Sequence, residues 1–274
     1  MEQSSRMPAC RLASGGPISP RLASSLLDRA GFSHAFFTRA GGVSQPPWDT
    51  LNFAAATGDD PAAVRENFAR AATLLGVPTT RLYVVSQVHG VAAQVLTGDE
   101  DREAALRTIG DITLSRAPGV ACGVRTADCV PILIADRTSG AVAAVHSGWK
   151  GTVANAAAAG LHALRALLGD RGDLLAAIGP HLEACCFEVG PDVAAELAAC
   201  SPLGAAAVIP GTRPHVDLRR IVRAQLEAEG IDPAAIDDVR GCTVGDSERF
   251  HSYRRDGKVG GRLLSAIVVP AARA

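Results

Sequence analysis

The sequence predicts an α/β fold in which short buried strands alternate with helices within one domain. A length of 274 residues suits one large domain. Hydrophobic residues make up 47% of the chain and charged residues 20%, which provides a sizeable core and is unlike a disordered protein. Three short runs rich in Val and Ile, at 120–125, 130–135 and 141–145, are separated by turn-like residues and predict adjacent strands of a covered sheet.

The chain before these runs predicts a lead-in, two strands and a helix. Residues 1–20 mix Ser, Gly and Pro and predict a loose lead-in, so we expect the domain to span 21–274. Apolar residues and turn signals predict a first strand at 34–38. Helical spacing, an Asp-Pro start and a Gly stop predict a helix over 61–75. The β-branched and aromatic residues of 82–88 predict a buried strand.

The chain after these runs continues the alternation of helices and strands. An Ala- and Leu-rich helix is predicted over 152–168, and a strand that Gly-Pro ends is predicted at 174–178. The remaining predicted elements are helices at about 191–199 and 218–229 and strands near 239–243 and 262–269. No internal repeat or long linker divides the chain.

Charge and composition favour a soluble protein that acts on small molecules. The chain has 27 basic and 28 acidic residues, so its net charge of −1 gives no reason to expect a nucleic acid or membrane-surface partner. Neither a signal peptide nor an 18-residue apolar span is recognisable. Seven cysteines without scaffold-like spacing fit a reducing compartment. We therefore expect a cytoplasmic protein, and the sequence leaves its oligomeric state open.

Three segments each end a predicted strand with a residue that can bind a transition metal. These residues are His89, Cys129 and His146. Two imidazoles and a thiolate suit zinc, and three protein ligands leave a fourth position for water or substrate, as in catalytic sites. Structural zinc normally takes four protein ligands. The pattern therefore predicts one catalytic metal, expected to be zinc.

Two other interpretations of the same residues stay open, because the gaps of 40 and 17 residues match no local zinc signature. In the first, Cys129 is a buried core thiol and each histidine is a hydrogen-bonded residue at a strand end. In the second, Cys129 is a thiolate nucleophile, His146 is its base, and Asp128 or Gln87 orients the base. A metal count separates the second interpretation from a zinc site.

Eight short motifs, in order over roughly residues 30–270, resemble the polyphenol oxidase (laccase domain) family, which is also called the purine nucleoside phosphorylase or peptidoglycan editing factor family. The motifs are Phe37–Ser44, Leu51–Phe53, Gln87–Gly90, Arg125–Cys129, His146–Gly151, Ile178–Pro180, Cys186–Gly190 and Ser252–Asp256. The resemblance implies layered mixed β-sheets flanked by helices, in a single domain similar to the catalytic domain of cytotoxic necrotizing factor.

The resemblance also implies an activity and a cofactor. Members of the family are described as zinc enzymes that phosphorolyse adenosine, inosine, guanosine and methylthioadenosine and that deaminate adenosine. One zinc per chain would bind at His89, Cys129 and His146. An older assignment as a copper-dependent polyphenol oxidase makes copper the less favoured metal, and a further alternative is a hydrolase that edits peptidoglycan precursors. The implied partners are a purine nucleoside and phosphate.

Phosphorolysis and deamination place further demands on the site. Deamination needs a proton shuttle, and Asp128, beside a ligand, or Asp111, near another strand end, can serve. Phosphorolysis needs cations that hold phosphate, and Arg39, in the Gly41-Gly42 turn, is favoured because glycine lets backbone approach a ligand closely. The predicted catalytic residues are Asp128, Arg39 and Cys129, and the predicted substrate-binding residues are Asn52, Gln87, Lys150, Arg254 and Arg255.

The remaining histidines and cysteines are weaker candidates. His251 precedes Ser-Tyr-Arg-Arg and is predicted to line the same cleft. Cys122 lies inside a predicted strand and is assigned to the core. Adjacent cysteines form strained disulfides, so Cys185 and Cys186 are predicted to be two buried thiols.

Overall fold

Two large β-sheets dominate the computed structural model, which describes residues 18–169 and 171–271 of the chain. The described strands are β1 (Arg21–Leu22), β2 (His34–Phe37), β3 (Leu82–Tyr83), β4 (Ala93–Leu96), β5 (Ile112–Ser115), β6 (Ala121–Thr126), β7 (Val130–Asp136), β8 (Val142–Ser147), β9 (Leu174–Ile178), β10 (Val208–Ile209), β11 (His215–Val216), β12 (Ile236–Asp238) and β13 (Leu263–Val268). The described α-helices are α1 (Ser25–Arg29), α2 (Pro61–Leu75), α3 (Arg102–Arg107), α4 (Trp149–Val153), α5 (Ala156–Leu168), α6 (Pro191–Cys200), α7 (Leu218–Ala228) and α8 (Tyr253–Asp256). The predicted lead-in at 1–20 lies outside the described residues except for 18–20.

Both large sheets mix parallel and antiparallel strands. The five-stranded sheet has the order β1-β2-β13-β6-β3, and its β3–β6 pair is parallel. The six-stranded sheet has the order β12-β9-β7-β8-β5-β4, with a parallel pair at each edge. The remaining strands, β10 and β11, form a separate antiparallel pair. Strands far apart in sequence are therefore neighbours in the sheets.

The two large sheets pack face to face with an apolar layer between them. Successive side chains of a strand point to opposite faces, so β7 contributes side chains to two apolar layers. Leu133 and Ala135 lie between the sheets. Ile132 and Ile134 lie on the other face, against the helices. Because both faces of β7 are buried, its sequence is a continuous apolar run rather than an alternation of apolar and polar residues.

Helices cover the outer faces of both sheets. Phe68 of α2 packs on the five-stranded sheet, whereas Leu161 of α5 and Ile221 of α7 pack on the six-stranded sheet. The side chain of Asp60 caps the first turn of α2, which ends at Gly76 with a φ of 76°. The layers follow the order helix, sheet, sheet, helix, so the predicted layered mixed α/β domain is confirmed. No helix in the described part of the chain has the length and apolar composition needed to cross a membrane.

Three predicted elements differ from the structure. The run 82–88 pairs as a strand only in β3, and the rest is a loop with an isolated bridge at Ser86. The predicted helix 152–168 is divided into α4 and α5 at Asn155, whose φ of 57° leaves the helical region. The strand predicted near 239–243 lies slightly earlier, in β12. Local propensity marks these segments but does not place their ends.

The three Val- and Ile-rich runs form β6, β7 and β8, but they are not all neighbours in one sheet. Whereas β7 and β8 pair antiparallel in the six-stranded sheet, β6 belongs to the five-stranded sheet. The sequence also does not predict β4 and β5, which extend the six-stranded sheet on the side of β8. Strand pairing depends on long-range packing, which periodicity along the chain does not report.

Candidate functional site

The three predicted metal ligands converge at one end of the six-stranded sheet. The ligand atoms of His89, Cys129 and His146 all lie within 4.8 Å of one another. In the antiparallel register of β7 and β8, Pro131 lies opposite His146, so Cys129 is beside the segment that follows β8. His89 reaches the same place from the loop after β3. The three ligand residues therefore converge although the strands that precede them are not all neighbours in one sheet.

Asp111 holds two of the three ligand segments in place. Its Oδ1 accepts hydrogen bonds from Nδ1 of His146 at 2.7 Å and from the backbone N–H of His89 at 2.9 Å. Its Oδ2 accepts from the N–H groups of Gly90 at 2.7 Å and Val88 at 3.2 Å. A carboxylate that binds one ring nitrogen of a histidine fixes the ring orientation and leaves the other nitrogen for a metal.

The carboxyl of Asp111 is fully buried and carries a negative charge. Burial opposes ionisation, but the hydrogen bonds from His146 and Gly90 outweigh it and lower the pKa of Asp111 below its ordinary value. All four of its hydrogen bonds come from the site, so this carboxylate is an orienting group. Asp111 was predicted only as a candidate proton shuttle, and no pattern around Gly110 and Asp111 indicates the orienting role.

A glycine directly after β8 leaves room for the cluster. A Cβ atom at Gly148 would lie 2.7 Å from Cδ2 of His89 and 2.9 Å from Sγ of Cys129. Real Cβ contacts are longer than this, so any side chain here would displace a ligand. The Gly in the His146–Gly151 motif is therefore explained by the close approach of the other two ligand segments.

Backbone strain is concentrated beside the cluster. Among the described residues other than glycine, positive φ angles occur at His89 (63°), Asp128 (89°) and Asn155 (57°). Two of these three residues are a ligand and the neighbour of a ligand. Residues in this region carry a conformational cost and persist where the surrounding structure holds them, which is frequent at functional sites.

The electrostatics of the cluster favour a charged thiolate. Burial alone would raise the pKa of the Cys129 thiol, but the imidazoles of His146 and His89 lower it to about 6. Burial would lower the pKa of His146, whereas the negative charges of Cys129 and Asp111 raise it to about 9. A thiolate is the form of cysteine that binds metals and that acts as a nucleophile.

This arrangement fits a bound transition metal. Imidazole nitrogens and a thiolate sulfur are the donors that zinc and copper prefer, and these three donor atoms already lie within 4.8 Å of one another. Three protein ligands leave a coordination position open. The cluster is therefore a candidate metal centre with space for a reactant.

Comparison with known proteins adds a family to this geometry. Residues 33–270 match the family described as multi-copper polyphenol oxidoreductase laccase. This chain belongs to that family. The predicted membership is therefore confirmed.

Three relatives illustrate the extent of the similarity. The chain is 39% identical over 223 residues to the purine nucleoside phosphorylase Rv2149c of Mycobacterium tuberculosis, which covers 81% of this chain and 86% of that protein. It is 40% identical over 227 residues to the purine nucleoside phosphorylase PA4543 of Pseudomonas aeruginosa, with 81% and 88% covered. The crystal structure of YlmD from Geobacillus stearothermophilus superposes with a TM-score of 0.85 at 28% identity and covers 94% of this chain and 98% of that one. The likeness to cytotoxic necrotizing factor stays a prediction.

Arg262 of this laccase-family chain lies near the candidate metal centre, and Arg125 lies near Arg262; neither arginine is among the predicted site residues. Arg262 is partly buried, and the negative charges of Cys129 and Asp128 act on its guanidinium. Burial lowers the pKa of Arg125 to about 10, with a further contribution from the positive charge of nearby Arg262. Arg125 is the first residue of the Arg125–Cys129 motif, so its position was a usable signal. Two like charges held close together favour an anion between them.

The residue that orients His146 differs from the prediction for the nucleophile alternative. Asp128 or Gln87 was expected there, but the orienting group is Asp111. Gln87 uses both ends of its amide to pair with the backbone of Arg125, through a donated bond of 2.7 Å and an accepted bond of 2.8 Å. This pairing holds the loop of His89 against β6, so Gln87 has a structural role.

Asp128 lies beside Cys129 and links three segments. Its Oδ1 accepts from the hydroxyl of Thr243 at 2.6 Å, and its Oδ2 accepts from the backbone N–H of Arg254 at 2.6 Å. The side chain remains partly exposed. A carboxylate can accept about four hydrogen bonds, so these two leave acceptor capacity.

The Gly41-Gly42 turn packs closely against the segment that carries Thr50. A Cβ atom at Gly42 would meet the backbone oxygen of Thr50, so the close approach is to the chain itself. Arg39 donates to the carbonyls of Asp49 and Ser247 and forms an ion pair with the Asp49 carboxylate at 3.1 Å. These contacts fix Arg39 within its own loop, and its role in phosphate binding stays a prediction.

Asn52 also has a structural position. It is fully buried, and its Oδ1 accepts from the backbone N–H groups of Ala54 and Arg262. Its Nδ2 donates to Asp59 at 2.8 Å. Both ends of the amide are occupied within the fold, and the contact of Asn52 with base or ribose stays a prediction.

The last three predicted cations differ in exposure. Lys150 is exposed, with its Nζ 5.6 Å from the centre of the Trp149 ring. Arg254 is exposed and donates to the Glu188 carbonyl at 3.0 Å. Arg255 forms an ion pair with Asp256 and donates to backbone carbonyls, so it braces its own loop. Arg254 is therefore the predicted cation that is both close to Asp128 and accessible to a substrate.

Two of the weaker candidates lie in the core. His251 is buried, and burial together with the positive charge of Arg39 lowers its pKa to about 3. Cys122 is fully buried between the two sheets, which confirms its assignment to the core.

Proposed function

We propose that this protein is a zinc-dependent purine nucleoside phosphorylase that also deaminates adenosine. The observation that carries the proposal is the convergence of His89, Cys129 and His146 around one point. The relatives in Mycobacterium and Pseudomonas are named purine nucleoside phosphorylases. The proposed substrates are adenosine, inosine, guanosine and methylthioadenosine, with phosphate as the second substrate.

Zinc is the proposed metal, at one ion per chain. His89, Cys129 and His146 supply borderline nitrogen and sulfur donors, and their number suits a catalytic rather than a structural zinc. Because Nδ1 of His146 binds Asp111, its Nε2 is the atom available to the ion. When bound there, zinc supplies Lewis acidity and lowers the pKa of a coordinated water.

Two partly buried arginines support phosphate as a reactant. Phosphorolysis forms a bond between a phosphate oxygen and the anomeric carbon while the bond from that carbon to the base breaks. Arg262 holds positive charge beside Cys129 and Asp128, and Arg125 adds a second positive charge near Arg262, which favours an anion in the site. Nη1 of Arg262 donates to the carbonyls of Gly260 and Gly261, which fixes the guanidinium and leaves its other donors for phosphate. Arg254, Lys150 and Arg39 are further candidates.

Asp128 is the proposed proton carrier. A leaving purine needs a proton, and deamination needs a proton moved from the attacking water to the ring and its amine. Asp111 accepts four hydrogen bonds and is fully buried, so it is unsuited to that transfer. Asp128 is partly exposed beside Cys129 and has remaining acceptor capacity.

The test is product analysis on protein with a measured zinc content. We expect adenosine with phosphate to yield adenine and ribose 1-phosphate, and adenosine without phosphate to yield inosine. Removal of zinc by a strong chelator should abolish both, and added zinc should restore them. A Cys129→Ser variant should lose zinc and both activities, whereas Cys200→Ser, which changes a thiol outside the cluster, should keep them. A homogeneous, zinc-loaded preparation that forms neither adenine nor inosine would refute the proposal.

A second candidate is a cysteine hydrolase acting on cell-wall precursors. One specific observation favours it. The Cys129 thiol contacts His146, and His146 in turn binds Asp111, which is the arrangement of a nucleophile, its base and an orienting acid. Cys129→Ser does not separate this candidate from the zinc enzyme, because it removes ligand and nucleophile together. Hydrolysis that persists after complete zinc removal would favour the hydrolase.

A copper-dependent phenol oxidase is the least supported candidate. The family description names a multi-copper oxidase. Such an enzyme needs several coppers and many histidine ligands, whereas one cluster in the described part of the chain contains histidine. Metal analysis of freshly purified protein distinguishes copper from zinc.

A further inference from the structure

Three cysteines outside the metal centre converge in a second cluster. Cys185 and Cys186 lie in the segment that follows β9, and Cys242 lies in the segment that follows β12. Because β9 and β12 are parallel neighbours, both segments leave the same end of the sheet. The three Sγ atoms lie within 4.8 Å of one another, and those of Cys185 and Cys186 are 3.7 Å apart. That separation is far longer than a disulfide bond of about 2.05 Å.

We propose that Cys185, Cys186 and Cys242 form a second metal site, which binds a thiophilic ion. With metal–sulfur bonds of about 2.3 Å, sulfur atoms are about 3.8 Å apart around a tetrahedral ion and about 4.0 Å apart around a trigonal one. The 3.7 Å separation of Cys185 and Cys186 matches this spacing. A set of three thiolates selects soft and borderline ions such as Cu(I) and Zn(II) over hard ions such as Mg²⁺.

The backbone around the cluster is fixed by hydrogen bonds between the two segments. The N–H of His181 donates to the carbonyl of Gly241, and the N–H of Thr243 donates to the carbonyl of His181. These bonds flank Cys242 on both sides. The N–H of Gly245 also donates to Sγ of Cys242 at 3.4 Å. The third ligand is therefore held in position by the fold.

The cluster is anchored on one side and accessible on the other. Cys242 is 7% exposed and packs in the core with the six-stranded sheet. Cys185 and Cys186 are partly exposed. An ion can thus reach the site from solvent without opening the core. Each thiol that binds forms one bond from sulfur to the metal and releases one proton to solvent, so the step needs no oxidant or reductant.

The second site would act on the first through Asp128. Thr243, next to Cys242, donates to the Asp128 carboxylate, and the N–H of Leu182 donates to the Asp128 carbonyl. An ion that joins the segments of Cys185 and Cys242 therefore restrains both contacts of Asp128. The site is proposed from its own three thiols and stands whether or not the protein acts on nucleosides.

The experiment counts metal equivalents in the full-length chain under reducing, anaerobic conditions. Apoprotein is titrated with Zn(II) in competition with a chromophoric chelator and, separately, with Cu(I), while thiolate-to-metal absorption is recorded. We expect the wild type to bind one ion at each cluster. Cys185→Ser and Cys242→Ser should each lose one equivalent and the matching absorption, and Cys129→Ser should lose the other equivalent. Cys200→Ser, a partly buried thiol on α6, should keep both.

The two ions form separate arms of the test. A second, thiol-dependent equivalent of either Zn(II) or Cu(I) supports the site and identifies which ion it prefers. Binding of neither ion at that equivalent, or full retention of it in Cys185→Ser, would overturn the proposal. Cys186→Ser serves as a second variant if Cys185→Ser does not fold, with circular dichroism as the check. Because the loss in Cys129→Ser is counted separately, failure of this site is distinct from failure of the zinc enzyme.

Discussion

Replacing Asp111 by asparagine is expected to weaken metal binding by about tenfold to a hundredfold while the fold is kept. Mutation of the group that orients a metal-binding histidine typically lowers metal affinity by this amount. The substitution keeps the size of the side chain but leaves one acceptor oxygen in place of two. If that oxygen stays with His146, the new amide group faces the N–H groups of Gly90 and Val88, which now donate to Oδ2 at 2.7 and 3.2 Å. If it turns to them, His146 loses its partner.

The magnitude follows from these contacts. A tenfold to hundredfold loss of affinity corresponds to about 1.4 to 2.7 kcal/mol. Two buried donors without acceptors cost about 1 to 3 kcal/mol each, so the free energy of unfolding should also fall by about 2 to 6 kcal/mol. Both effects arise at one carboxylate, but only the first depends on the metal.

A matched control separates the two effects. Asp136 is a buried carboxylate at the far end of β7, and it accepts backbone hydrogen bonds from Asp173 and Ser139 at 2.7 Å each. Asp136→Asn should lose stability without losing metal affinity. The assay is Zn(II) competition with a chromophoric chelator, combined with urea unfolding of the metal-free proteins. Equal zinc affinities in wild type, Asp111→Asn and Asp136→Asn would refute the orienting role.

Three further predictions concern the space, charge and protonation of the site and its surroundings. Gly148→Ala places a Cβ atom 2.7 Å from Cδ2 of His89, so zinc affinity should fall by about tenfold or more. The control is Gly169→Ala, where a Cβ atom would have no neighbour within 4 Å and zinc affinity should be unchanged. Competition with the same chelator measures both affinities. Arg262→Met should raise the KM for phosphate about tenfold to a hundredfold, because it removes a charge-assisted hydrogen bond to phosphate. Phosphate-independent deamination should be unaffected. An unchanged KM for phosphate would contradict the role of Arg262. Burial and the positive charge of Arg39 lower the pKa of His251 in the folded state to about 3, whereas in the unfolded chain it is about 6.5. The contribution of neutral His251 to stability is therefore complete above pH 6.5 and is lost as the pH falls towards 3. His251→Gln should therefore flatten the acid loss of unfolding free energy by up to about 1.4 kcal/mol per pH unit, and identical slopes in urea unfolding between pH 6 and 4 would contradict this.

The residues of the candidate metal centre could be predicted because their types are specific. His89, Cys129 and His146 each stand beside a turn signal, and few side chains other than histidine and cysteine bind zinc. The motifs around them also predicted the family. Local spacing did not predict how they meet, since β6 and β7 belong to different sheets and His89 lies in a loop.

The residues around the centre were harder to predict because their roles depend on where side chains point. Asn52 and Gln87 were expected to bind substrate, but their amides are used by backbone groups that are close only in the fold. Arg262 was missed because it lies far along the chain from the metal ligands. It reaches them because β13 pairs with β6 in the five-stranded sheet.

The sequence by itself determined the fold class, the family and the three candidate metal ligands of this protein. Apolar runs, turn residues and ligand types are properties of short segments, so they can be recognised without knowing which segments meet. The tertiary structure decided the orienting role of Asp111, the need for glycine at position 148 and the convergence of Cys185, Cys186 and Cys242. Each of these depends on sheet register and loop packing, which bring together residues that are far apart in the chain.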